Sequence, residues 1–67
     1  MSVVKILEIL AESPKSWEDA TQMAVTEAAK TVDNIQNVYI AEMKAIVEGK
    51  KIVRYRVNTK ISFIVKD

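Results

Sequence analysis

The clearest hydrophobic pattern lies in the last part of the chain. Val53, Tyr55, Val57, Thr59, Ile61, Phe63 and Val65 alternate with Arg54, Arg56, Asn58, Lys60, Ser62 and Ile64. A strict period of two sends successive side chains to opposite faces, so residues 53–65 predict a β-strand with one apolar and one largely polar, basic face. At about 3.3 Å per residue such a strand spans roughly 40 Å. A compact chain of this length has a radius of gyration of only about 11 Å. A strand that long must curl around another element, project into neighbouring subunits, or do both.

Three further segments precede it. Residues 3–11, Val-Val-Lys-Ile-Leu-Glu-Ile-Leu-Ala, are rich in β-formers and are followed by Glu-Ser-Pro-Lys-Ser, which predicts a strand and then a turn. Val4, Ile6 and Leu10 share one face with Glu8, and Val3, Leu7 and Ile9 share the other with Lys5. A strand apolar on both faces usually has both covered. Ser16 then opens a helix as its N-cap, with a hydroxyl placed to accept from the backbone N–H of Asp19. Trp17, Ala20, Ala24, Ala28, Val32 and Ile35 recur at spacings of three and four and form one stripe, opposite Glu18, Gln22, Glu27, Lys30 and Asp33. The helix is expected to end near Asp33-Asn34, residue types that favour turns. The third segment, about Asn37 to Val47, predicts a strand with a break in parity. Val38 and Ile40 hold the apolar positions first; beyond Glu42 they pass to Met43, Ala45 and Val47, which is what a β-bulge produces. Glu48-Gly49-Lys50-Lys51 predicts the hairpin turn, with the only glycine of the chain supplying a positive φ.

The order is β-α-β-β. The predicted fold is α+β, a three-stranded antiparallel sheet curled around one helix, in a single domain over residues 1–67. One helix covers one face of the sheet, so the face carrying Arg54, Arg56, Asn58 and Lys60 looks to solvent or across an interface.

Composition narrows the function. The chain has 67 residues, 49% of them hydrophobic, with no Cys and no His. Domains this small bury little surface and usually need a staple. Without Cys there are no disulfides, thiolate zinc sites or iron–sulfur clusters, and without His most other transition-metal sites go too. Self-association is the remaining route to stability. Ten Lys and Arg against nine Asp and Glu give a net charge of +1, so nucleic acid is not an expected partner. No apolar run reaches the roughly 20 residues of a membrane span. The expected setting is cytoplasmic, with no membrane partner. No serine has a histidine to activate it, and a lone sheet and helix offer no cleft for paired carboxylates, so the chain is not expected to be an enzyme.

Taken in order, Ser13-Pro14-x-Ser16-Trp17-Glu18-Asp19-Ala20, Ala28-x-Lys30-Thr31-Val32-Asp33-Asn34-Ile35, Tyr55-Arg56-Val57 and Ile61-Ser62-Phe63 strongly resemble the dodecins, small flavin-binding proteins of prokaryotes. The resemblance covers essentially the whole chain. It implies a hollow homododecameric shell that stores and protects flavins (riboflavin, FMN or FAD) in pairs at subunit interfaces. It also implies a tryptophan just after the helix that stacks on the flavin, and a glutamine on the last strand that holds the ring edge. By count, the tryptophan position falls at Asn37 and the glutamine position at Arg56. Asn37 offers no large π face. Arg56 is able to lie over a flat ring or to bind a phosphate or carboxylate through both its nitrogens. In this the chain is similar to a branch of the family without the stacking tryptophan, in which a calcium-binding member is known. Two readings therefore stand: a flavin-type binding and storage shell, or a flavin-free shell that binds calcium or another ligand or serves as a scaffold particle.

The candidate ligand-binding residues are Asn37, Tyr39 and Arg56. Tyr39 shares a face with Asn37 and would take over stacking if the register slipped by two, although an interface tyrosine is the simpler reading. Trp17 sits on the apolar stripe and is assigned to packing. Arg54, Arg56 and Lys60 either pair with Glu42 or Glu48 across the hairpin or form an anion or ligand site at a subunit junction. Glu8, Glu12, Glu18 and Asp19 read as a solvated acidic rim rather than a cation site.

Overall fold

The computed structural model describes residues 3–65; the first two and last two residues of the expected domain lie outside that range. The chain forms β1 (Val3–Ser13), α1 (Trp17–Ala28), β2 (Ile35–Glu48) and β3 (Lys51–Val65). The long alternating strand β3 occupies the centre of one antiparallel sheet of order β1-β3-β2. This is the α+β, β-α-β-β arrangement that the periodicities predict.

The strand faces follow from the pairing. Ala11, Val57 and Met43 stand opposite one another, as do Leu7, Ile61 and Val38. Directly opposed residues share a face, and this one is covered by α1. Ala20, Ala24 and Ala28 are buried there together with Val57 and Ile61. Ala24, Ala28 and Ile61 form the centre of the core, with Leu7, Ile9, Ala11, Val25, Val32, Ile35 and Val38 packed around them. Alanine on the helix side leaves only a methyl group between backbone and sheet, so the helix lies close. Thr59 is the polar residue at this depth on β3. Its hydroxyl donates to the Ile9 carbonyl at 2.7 Å, which satisfies it.

The turn into the helix is built from three side chains. Ser16 is the N-cap, and its Oγ accepts from the Asp19 N–H at 2.9 Å. The fully buried Ser13 accepts from the Lys15 N–H at 2.9 Å and donates to Asp19 Oδ2 at 2.6 Å. Asp19 therefore closes the turn while its charge sits in the first helical turn, where the helix dipole favours it.

The helix ends at Ala28, earlier than the expected Asp33-Asn34. The Lys30 and Thr31 N–H groups bond three residues back, to Glu27 and Ala28, which tightens the backbone out of α-geometry. Asn34 then adopts φ 62, the left-handed region that Asn tolerates better than most residues. Val32 and Ile35 still reach the core, one from the connection after the turn and one from the start of β2, so the stripe outlasts the helix.

The break in β2 is present as a register shift between Ile40 and Glu42, at the position where the apolar parity changes. Two more occur between Ile35 and Asn37 and between Ile46 and Val47. The hairpin closes at Glu48 and Lys51, with Gly49 at φ 65 where a two-residue hairpin turn starting with Gly requires it. The β2–β3 hairpin extends well past the helix. The chain measures 52 × 19 × 13 Å with a radius of gyration of 13.7 Å, above the roughly 11 Å of a compact chain of this length.

Candidate functional site

The face of the sheet turned away from α1 carries all three candidate residues. Its rungs are read from the pairing: Glu12, Arg56 and Lys44; then Leu10, Asn58 and Glu42; then Glu8, Lys60 and Tyr39; then Ile6, Ser62 and Asn37. Asn37 and Tyr39 stand on neighbouring rungs, beside Ser62 and Lys60. Arg56 lies four residues along β3 from Lys60, about 13 Å away. The candidates therefore share a face and divide into two places on it. Tyr39 is 63% exposed, with its ring free to meet a ligand or a neighbouring subunit.

Arg56 belongs to a charged cluster. Its Nε donates to Glu12 Oε1 at 2.7 Å, and a terminal nitrogen bonds the same oxygen. Arg54 approaches the other oxygen, Nε to Oε2, at 3.3 Å, and lies 3.8 Å from Glu48. The basic row is thus held chiefly by Glu12 of β1. The expected partner Glu48 makes only the longer contact, and Glu42 stands opposite Asn58 with no ion pair among the described residues. Glu12 thus belongs to this cluster and not to a solvated acidic rim; its pairing with β3 depends on inter-strand register, which periodicity does not reveal. Its parity, on the same face as Leu10, is the signal that the sequence offers. Next to this cluster a shallow depression is lined by Leu10, Glu42, Lys44, Arg56 and Asn58. Asn58 Oδ1 is buried there without a hydrogen-bond partner.

The acidic residues near the strand–helix turn do not converge. Glu12 is engaged by the arginines, Asp19 by Ser13, and Glu8 stands opposite Lys60. Among the described residues no group of three or more His, Cys, Asp or Glu comes together to hold a metal ion.

On the helix-facing side, Trp17 packs edge-on against Tyr55, with ring centroids 4.8 Å apart and planes at 72°. Its indole N–H donates to the Lys44 carbonyl at 3.0 Å. These contacts agree with its assignment to packing. Between α1 and β2 an open groove of about 800 Å³ has Trp17, Val25, Val38, Ile40 and Met43 along its apolar part. No helix among the described residues is long and apolar enough to cross a membrane.

Comparison with known proteins gives one consistent result. The family model described as Dodecin matches residues 3–66. Calcium dodecin of Mycobacterium tuberculosis is 36% identical over 63 residues, spanning 94% of this chain and 89% of that protein. A crystal structure of that calcium dodecin, described as calcium-chelating with a novel calcium-binding site, superposes with a TM-score of 0.82 at 33% identity over 96% of this chain and 91% of that one. The R45A variant of Thermus thermophilus dodecin superposes with a TM-score of 0.93 over the whole of both chains at 22% identity. Dodecin from Streptomyces coelicolor reaches 0.91 at 20% identity, over 98% and 94% of the two chains. The extent of the family match and the identity to calcium dodecin agree with the fold, and the chain is a member of the dodecin family.

Proposed function

We propose that this chain is the subunit of a hollow homododecameric shell that binds and stores a small ligand between subunits, and that it is a binding protein rather than an enzyme. The observation that carries the assembly is the apolar surface the subunit leaves in water. Val4, Ile6 and Leu10 are 60–64% exposed on the face turned away from the helix. Monomeric domains rarely expose such a row, and its burial contributes roughly 25 cal/mol per Å². A cytoplasmic setting is part of the proposal.

The ligand reading favours a flavin-free shell, with calcium as its ligand, over riboflavin, FMN or FAD. Asn37 stands where the family resemblance calls for a stacking tryptophan. Arg56, in place of the ring-holding glutamine, is already engaged by Glu12. A relative of substantial identity is a calcium dodecin. Calcium takes six to eight oxygen ligands. No single subunit gathers three carboxylates among its described residues, so the site would draw carboxylates from several subunits.

Calorimetry with Ca²⁺ and fluorescence with riboflavin separate the readings. Binding heat and a raised thermal midpoint with Ca²⁺, with flavin emission unquenched at micromolar protein, are the expected results. Quenched flavin without a calcium response reverses the choice of ligand. A scattering mass of one 7.6 kDa subunit overturns the shell in either form.

A further inference from the structure

We propose that Glu12 is the internal counter-anion of a latent oxyanion site made by Arg54 and Arg56. While its carboxylate lies between the two guanidinium groups, free phosphate-like anions are kept off this face; with its charge removed, an oxyanion takes its place. The inference rests on the reading that this face of the sheet holds a ligand, and it names the residue that sets the charge of that ligand.

The two arginines leave β3 two residues apart and point to the same face. β1 sets Glu12 directly opposite Arg56. One carboxylate oxygen is taken by Arg56 and the other is approached by Arg54. A guanidinium fork that binds a carboxylate through two N–H groups fits two oxygens of a phosphate equally well. Donor capacity is left over. Each guanidinium has five N–H donors, and Arg54 Nε is buried without a hydrogen-bond partner, because its 3.3 Å approach to Glu12 is poorly aligned.

The charges around the cluster balance only with Glu12 in place. Arg54, Arg56 and Lys44 face Glu12, Glu48 and Glu42. Without Glu12, two neighbouring guanidinium groups are left with one positive charge in excess. A carboxylate fixed on the adjacent strand also competes at an effective concentration of at least about millimolar. Dissolved phosphate at similar concentration does not displace it.

Glu12→Gln keeps the side-chain shape and removes the charge. Wild type and variant are titrated with sodium phosphate at pH 7 and constant ionic strength, followed by calorimetry and thermal midpoint. Wild type is expected to respond no more than it does to chloride. The variant is expected to bind phosphate at least about tenfold more tightly, and adding Arg56→Gln is expected to abolish the gain. An E12Q protein that binds phosphate no better than wild type overturns the proposal, as does a gain that survives Arg56→Gln. Glu12→Ala, with its fold verified by circular dichroism, provides the same comparison if the glutamine variant does not fold. Parallel titrations with Ca²⁺ and riboflavin keep the two readings apart. Phosphate binding to E12Q, with no response to Ca²⁺ or riboflavin in any protein, rejects both ligands named for the shell and leaves the role of Glu12 intact. A Ca²⁺ or riboflavin response with no gain in phosphate binding rejects Glu12 alone.

Discussion

The indole N–H of Trp17 donates to the backbone carbonyl of Lys44 across a separation of 27 residues. Lys44 lies just beyond the register shift at Ile40 and Glu42. The bond therefore ties the first turn of the helix to the bulged edge strand, beside an open groove where helix and strand do not close on each other. Trp17→Phe keeps an aromatic ring against Tyr55 and removes the donor. The bond is solvent-accessible, so the expected loss is about 0.5–1 kcal/mol. Trp17→Ala also removes the ring and is expected to cost roughly 3 kcal/mol, the low end for a large aromatic because the residue is only half-buried. Denaturant unfolding followed by circular dichroism measures both, and equal costs for the two variants contradict the division between bond and packing.

Ser13 presents a sharper case, because it is fully buried and both its roles are polar. Ser13→Ala leaves the Lys15 N–H and the Asp19 carboxylate without the hydroxyl that joins them. A buried group left without its partner costs about 1–3 kcal/mol. A lowered thermal midpoint is expected, while Ser16→Ala, which removes the N-cap, should cost about 1 kcal/mol. An unchanged midpoint in Ser13→Ala means that water replaces the hydroxyl.

The elements differ in how far local pattern reveals them. The long strand β3 and the N-cap at Ser16 depend on neighbours within a few residues, so alternation and side-chain chemistry disclose them directly. The change of parity around Glu42 does the same for one bulge. The helix ends before the stripe does because Val32 and Ile35 keep the spacing of three and four while lying in a connection and a strand; burial, not helical geometry, maintains that spacing. The partner of Arg56 was inaccessible for a different reason. Glu12 is 44 positions away, and only the pairing of β1 with β3 brings them together. The pairing of β2 with β3 in turn sets Asn37 and Tyr39 opposite Ser62 and Lys60, away from Arg56, a separation that periodicity alone does not reveal.

Charge placed on the exposed apolar row tests assembly. Leu10 is 64% exposed in the subunit, so a lysine there has no reason to unfold an isolated chain. In an assembled shell the same lysine would enter a buried apolar interface, where an unpaired charge is strongly disfavoured. Wild type is expected to scatter as twelve chains of 7.6 kDa, about 91 kDa. Leu10→Lys should shift that mass toward small species while preserving the far-ultraviolet signal. Retention of the large species would show that this row faces solvent in the assembly.

Asn37→Trp tests whether a single missing ring separates this protein from flavin binding. Asn37 is exposed, beside Tyr39 and opposite Ser62, so the larger side chain meets no core residue and is not expected to disturb the subunit. A tryptophan buries about 150–250 Å² on contact, and aromatic stacking adds about 0.5–1.5 kcal/mol beyond that burial. Tenfold in affinity corresponds to 1.4 kcal/mol, so riboflavin affinity is expected to rise at least tenfold, read as quenching of flavin emission on titration. Arg56→Gln in the same background should add a smaller gain, because it releases position 56 from its pair with Glu12 and supplies the amide that the family resemblance calls for there. If Asn37→Trp leaves riboflavin unquenched in an intact assembly, the shape of the interface and not the absence of one ring excludes flavin. If wild type already quenches at micromolar protein, Tyr39 is the residue to remove next, since it is the exposed aromatic ring on the neighbouring rung.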